Sequence, residues 1–358
     1  MLSPSINTAN GLLAAAFDEV LHLDGYAVTA SNTVVGVLPK DPTWLTPVRN
    51  RLALLAAAGT SWIADKPDIW APVLVQFADY AASFAGVAQQ QAKGTVLDSA
   101  AWVALLDGVL LTQLKTCIVA TDTAATALQA HYQSFKNIQP LLESSINAGW
   151  AALADEEQQM VAIATALTHL QDVAASLESS ITAADITTGK SVVQTTVTTL
   201  YGIATAAGTS FSFIGMAGAA FTVGTFYYDL IEKTGEIAAT LERIGELQLE
   251  ASGEAQAAAG TKLILRLLYN LELSFGRITD VLPQITQLWA TEGDKVQQAI
   301  DALKAGADPS TYFDIQTISV ANANWQAISS VALAIPTIKT TGGPPVTLAP
   351  QQPVAAAS

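Results

Sequence analysis

Residues 191–228 read SVVQTTVTTLYGIATAAGTSFSFIGMAGAAFTVGTFYY, and the stretch contains no Asp, Glu, Lys, Arg or His. Lys190 and Asp229 bound it, and long charged segments with a heptad-like apolar pattern lie on both sides. An acidic chain that places its longest uncharged segment in the middle either buries it as a core element or conceals it for entry into a membrane. The fold and the function both turn on that choice.

Several features of the stretch favour membrane entry. Tyr201 stands near one end, and Phe226, Tyr227 and Tyr228 stand at the other, where a lipid–water interface prefers aromatic rings. Small residues spaced four apart, Gly202/Ala206, Ala204/Gly208 and Ala220/Gly224, permit close packing in lipid. Against this, Thr, Ser, Gly and Ala outnumber the large apolar side chains, which keeps the hydrophobicity moderate. Two full helical spans need about 40 residues plus a turn, and roughly 38 are present. The segment therefore suits one full span, two short ones or a two-stranded tongue. Val192, Val193 and Val197, with Thr195, Thr196, Thr198 and Thr199, favour strand locally. A core hairpin and a partner-binding patch remain the alternatives.

Outward from this segment the chain reads as helix. About half of its 358 residues are hydrophobic, 13% are charged, and Ala, the strongest helix former, dominates. A first helix is expected from Asn7 to about Val37, with Asn7 or Thr8 as its cap. A second runs from about Trp44 to Ile63 and is ended by Asp65-Lys66-Pro67-Asp68. A third runs from Asp68 to about Gln91. Asp98 caps a longer helix to about Lys136, and Pro140 kinks or breaks the chain. Leu153, Met160, Ile163, Leu167, Leu170, Ala174, Leu177 and Ile181 form a coiled-coil-like seam that misses one step near Glu157.

Beyond Asp229 a return helix is expected, with apolar positions at Leu230, Ile237, Leu241 and Ile244. The pattern weakens through ASGEAQAAAG and is regular again from Ile264 through Trp289 to Val296 and Leu303. Pro283 should bend it, Gly306 to Pro309 should end it, and a short helix follows from Ile318 to about Leu333. The expected fold is an all-α elongated bundle. Two long helices rise from it, and a small hydrophobic head joins them at one tip. Residues 1–190 and 229–338 form the bundle, 191–228 the head, and 339–358 a tail expected to be disordered.

The net charge of −15 argues against nucleic acid and against a purely electrostatic grip on anionic lipid. Cys117 is the lone cysteine, set in a helical apolar pattern, and reads as a buried structural thiol. The N-terminal sequence lacks the features of a Sec signal peptide, so export is expected by another route. His22, His131 and His169 are far apart, and no H-E-x-x-H, C-x-x-C or G-x-S-x-G motif occurs. Thr188-Gly189-Lys190-Ser191 resembles the end of a P-loop, but Ala184 stands where the upstream glycine is required. The expectation is no enzyme, no metal and no cofactor.

The order of elements resembles the cytolysin A superfamily of α-helical pore-forming toxins. Within it the chain is most similar to the haemolysin BL, non-haemolytic enterotoxin and motility-associated killing factor components. The resemblance covers most of the chain and is architectural, with no short diagnostic motif. It implies a secreted, soluble protein whose head inserts on contact with a target membrane, where subunits assemble into an oligomeric pore. It further implies partners: membrane lipid, further copies of the chain, and homologous toxin components. The residues expected to face lipid are Tyr201, Phe211, Phe213, Ile214, Phe221, Val223, Phe226, Tyr227 and Tyr228. Gly215 and Gly218 are the expected turn at the tip. The alternative is a secreted, non-enzymatic helical scaffold that keeps 191–228 permanently buried.

Overall fold

The computed structural model describes residues 2–33, 35, 38, 40–92, 97–175, 181–188, 197–204, 212–220, 235–236, 239–240, 243–247, 250–338 and 345–346. In chain order the elements are α1 (Ile6–Asn32), α2 (Leu45–Ala92), α3 (Ser99–Leu105), α4 (Thr112–Ala152) and α5 (Glu157–Ala175). They continue with α6 (Ala183–Thr187), β1 (Val197–Ala204), β2 (Ser212–Ala220), α7 (Gly253–Lys304), α8 (Ser310–Phe313), α9 (Ile315–Ala334) and β3 (Pro345–Val346). The protein is an all-α elongated bundle, and its few strands gather in one small sheet. At about 1.5 Å per residue, the 52 residues of α7 extend about 78 Å.

The prolines do not divide the helices as their chemistry suggests. α2 runs unbroken through Pro67 and Pro72, so the two helices expected between Trp44 and Gln91 are one. α4 likewise continues through Pro140. A mid-helix proline removes one hydrogen bond and costs about 3 kcal/mol. Here core side chains flank each one: Trp62, Trp70 and Val73 around the first pair, Ile138 and Leu142 around Pro140. Burial of such side chains contributes roughly 1.5–3 kcal/mol each, enough to keep the helix continuous past the defect.

Capping follows the sequence in part. Asp98 caps α3 as expected, its carboxylate accepting the Ala101 N–H at 2.8 Å. A π-helical turn, Leu106–Leu111, joins α3 to α4 and buries Leu106 and Leu110. α1 starts after Ser5 rather than at an Asn7 or Thr8 cap, and it ends at Asn32, where Thr33 turns extended. The missed step of the seam near Glu157 marks a corner. Leu153 leaves helical geometry, a 3₁₀ turn covers Ala154–Glu156, and α5 begins. Met160, Ile163, Leu167 and Leu170 are buried on α5, as the seam requires.

The return helix expected from Asp229 is broken before α7. Ser252 caps α7 by accepting the Ala255 N–H at 3.1 Å. The Ala-rich run where the apolar pattern faded is buried throughout from Ala255 to Thr261. Small side chains let neighbours approach the backbone here: the Trp150 indole donates to the Ala258 carbonyl at 2.9 Å. At the other end α7 stops where expected. Gly306 takes φ 92°, a conformation open to glycine, and the N–H of Ala307 reaches back to the Ala302 carbonyl.

α4 packs between α2 and α7, α1 packs on both α2 and α7, and α9 packs on α2 and α1. Aromatic rings link the layers. Trp289 on α7 and Trp325 on α9 stack with centroids 5.7 Å apart, and Tyr80 on α2 lies edge-on to both. Trp102 stacks on Phe313 at 4.3 Å. The first residues are held too: the Trp325 indole donates to the Leu2 carbonyl, and Asn324 donates to the Ser3 hydroxyl.

Candidate membrane-active head

The uncharged segment lies between α6 and the chain leading back to α7. Its described part is an antiparallel hairpin, β1 against β2. Ile203 pairs with Phe213, Ala204 with Ser212 and Gly202 with Ile214. The chain therefore reverses between Ala204 and Ser212. Gly215 and Gly218, expected at the turn, sit inside β2 instead.

The register explains Gly218. From Val197↔Ala219 to Thr199↔Met216 the chain advances two residues on β1 and three on β2, a bulge that spans Ala217 and Gly218. From Thr199 to Gly202 the imbalance reverses, and the extra residue falls on β1 around Leu200 and Tyr201. Glycine is favoured in bulges because it has no Cβ to clash there. The two bulges cancel, so the pairing regains register by Gly202. Of the candidate lipid-facing residues, Tyr201 lies in β1 and Phe213 and Ile214 in β2. Phe211, Phe221, Val223, Phe226, Tyr227 and Tyr228 lie outside the described residues.

β1 packs along α1, with α5 and α7 beside it. The chain entering the head is tied to the middle of α1, where Asp18 Oδ1 accepts the Ile181 N–H at 3.2 Å. α6 follows at once, started by a capping box in which Thr182 and Asp185 satisfy each other's backbone N–H groups. Ile186 anchors it in the core. On the return side, Glu236 meets His169 at 3.2 Å and the Ser252 N–H donates to Glu156 at 2.8 Å. Arg266 pairs with Asp172 between α7 and α5. Polar and charged contacts thus tie the chain before and after the head to the bundle.

A third strand completes the sheet. β3, from the tail expected to be disordered, pairs antiparallel with β2 at Ala219↔Val346 and Ala220↔Pro345, giving the order β1-β2-β3. The Pro344-Pro345 pair just before Val346 argues against a strand in the sequence, because proline cannot donate to a ladder.

Outside the head, Asp18, Glu19 and His22 on α1 bring one ligand atom each within 4.8 Å of one another. These groups already have partners in the fold: Asp18 holds Ile181, and Glu19 faces Arg277 at 3.5 Å and His22 at 3.8 Å. Burial raises the Glu19 carboxyl above its ordinary range, while His22 and Arg277 pull it back. His131 packs edge-on to Trp62 and meets Asp65 at 3.4 Å. Cys117 is buried, and desolvation pushes its thiol up to about 12. By length and composition alone α2 and the Ser99–Ala152 rod could each cross a bilayer. In the bundle they supply core residues such as Phe77, Trp102 and Leu128.

The whole architecture matches known toxins. The chain is similar to the cytotoxin MakB from Vibrio cholerae, at 37% identity and a TM-score of 0.82, with 94% of each chain covered. At lower identity it shares its fold with SmhB of the tripartite α-pore-forming toxin Smh from Serratia marcescens. That pair is 11% identical with a TM-score of 0.66, covering 93% of this chain and 92% of the other. The Bacillus cereus HblL1 toxin component is 14% identical with a TM-score of 0.59, covering 93% and 97%. No family model and no curated protein matches the sequence. The chain belongs to the same family as the cytotoxin MakB, the motility-associated killing factor B of Vibrio cholerae.

Proposed function

We propose that this protein is a non-enzymatic toxin component that acts outside the producing cell. Its head, residues 191–228, leaves its place on the bundle and enters a target bilayer, where subunits assemble into a pore with homologous components. The observation that carries this reading is a charge-free hairpin docked against the side of a bundle with the fold of the cytotoxin MakB. The tripartite toxin to which SmhB belongs supports a role for partner components.

The physics asks for two packings of similar free energy, one with the head docked and one with it released. A membrane then selects the released form by binding it more tightly. About a dozen large apolar side chains, at roughly 1.5–3 kcal/mol each, set an upper limit on that bias. With a net charge of −15, attraction to anionic headgroups does not supply it.

The test is liposome flotation of the wild type beside a variant carrying Phe213→Asp and Phe221→Asp. The wild type should float, alone or with partner components, and the variant should stay in solution with equal helicity. If neither floats under any combination, the head is a permanent part of the bundle and the scaffold reading replaces this one.

A further inference from the structure

β2 has two edges. β1 covers one, and β3 covers the other at Ala219 and Ala220. We propose that β3 is an intramolecular clasp that keeps the head hairpin docked, closed by a hydrogen bond from the Val346 N–H to the Ala219 carbonyl. This rests on the reading that the head leaves the bundle.

The closing bond follows from the register. Adjacent pairs in an antiparallel ladder alternate between hydrogen-bonded and non-hydrogen-bonded. Pro345 has no N–H, so Ala220↔Pro345 must be the non-bonded pair. Ala219↔Val346 is then the bonded pair, in which each residue donates to the other. Pro345 also makes the outer edge of β3 a poor template for another strand, so the clasp both covers β2 and ends the sheet.

The connection gives the clasp its leverage. α9 is fixed in the core through Trp325, which is fully buried, and through Gln326, which donates to the Ala81 carbonyl at 3.1 Å. Ile338 is the last described residue before β3, and the seven residue steps to Pro345 span at most roughly 25 Å. A head that moves further than that from Ile338 must drop β3. Two paired residues make a weak contact, since one hydrogen bond contributes about 0.5–1.5 kcal/mol net. The clasp therefore sets a low threshold for release that a membrane can overcome.

The first measurement is hydrogen exchange of the soluble, full-length protein, with no membrane present. Val346→Pro removes the single N–H that β3 donates in this pairing, while Val346→Ala keeps it. The amide of Ala219 should exchange roughly tenfold faster in Val346→Pro and at the wild-type rate in Val346→Ala. Equal exchange in all three proteins overturns the clasp.

The second is a reversible lock, Ala219→Cys with Val346→Cys. Bonded antiparallel Cα atoms lie about 5.5 Å apart, within disulfide range. Cys117 does not compete, being buried. The oxidised variant should stay in solution with liposomes while the reduced one floats like the wild type. Flotation of the oxidised form overturns control of release by the clasp. If neither the wild type nor the reduced variant floats, the membrane reading is lost, and the exchange result still decides whether the clasp exists.

Discussion

The carboxylate of Asp24 on α1 accepts the indole N–H of Trp62 on α2 at 3.0 Å. Its other oxygen meets Lys66 Nζ at 2.5 Å, one residue before Pro67. One half-buried acid thus grips the last turn of α2 before a proline that should have ended it. Asp24→Ala leaves the Trp62 N–H and the Lys66 ammonium without that partner, at a cost of about 1–3 kcal/mol. Urea unfolding followed by circular dichroism measures the loss. A variant within about 0.3 kcal/mol of wild type would show that packing alone carries α2 past Pro67.

The same grip shows why the sequence misplaced some boundaries. Pro67 and Pro140 are local breakers, and what overrules them is long-range: Asp24 is 42 positions from Lys66. The heptad seam on α5 and the cap at Asp98 are local, and both were legible. The missed step at Glu157 is a true corner, where Leu153 leaves helical geometry and a 3₁₀ turn intervenes. In the head, the β-branched run at Val197–Thr199 marked a strand, but Gly215 and Gly218 looked like a turn because a bulge is a property of two strands in register. β3 was unreadable for the same reason, since its partner lies more than a hundred residues away.

Two glycine substitutions should have opposite effects. Gly149 on α4 lies against Trp44, and a Cβ there would meet the indole ring at 2.6 Å. Trp44 is buried, so the ring has little room to give. Gly149→Ala should destabilise by about 1–3 kcal/mol through overpacking. Gly86, inside α2, has nothing within 4 Å of the same position. Gly86→Ala should stabilise by about 0.5–1 kcal/mol, because alanine loses less backbone entropy in a helix. Thermal melts of the pair read both signs, and a shift in the same direction for both would contradict the packing at Trp44.

Cys117 should be inert while the protein is folded. Its Sγ is buried, 3.7 Å from the Gln76 side-chain oxygen, and desolvation pushes the thiol up to about 12. The thiolate is the reactive form, and at pH 8 it is scarce as well as shielded. Ellman's reagent should therefore release colour only at the rate of unfolding and should react at once in denaturant. Fast labelling of the native protein would mean that the α2–α4 interface opens locally.

Stability should not fall on mild acidification. Burial is the largest influence on Asp24, Glu19 and Glu292, and it raises each carboxyl above its ordinary value. Lys66, His22 with Arg277, and Lys295 oppose the shift without cancelling it. For a raised acid the folded protein holds more protons than the unfolded chain between the two pKa values. Its contribution to stability is therefore complete below the unfolded value and is lost as pH rises through the folded one. Asp314 runs the other way. Hydrogen bonds from Thr317 and the Gln316 N–H hold it below its ordinary value of 3.8, so the stability it lends to the start of α9 is lost as pH falls below that value. His131 also opposes the raised acids: burial holds its imidazole below its ordinary value of 6.5, so the stability of its neutral form is lost as pH falls below that value. With three raised acids against one histidine, melting temperature should hold or rise from pH 7 to about 5 and drop below about 4. The shrinking negative charge acts in the same direction at first, so the variant Asp24→Asn with Glu292→Gln separates the causes. It should flatten the rise between pH 7 and 5. An unchanged slope would assign the whole effect to net charge and remove the buried acids from the account.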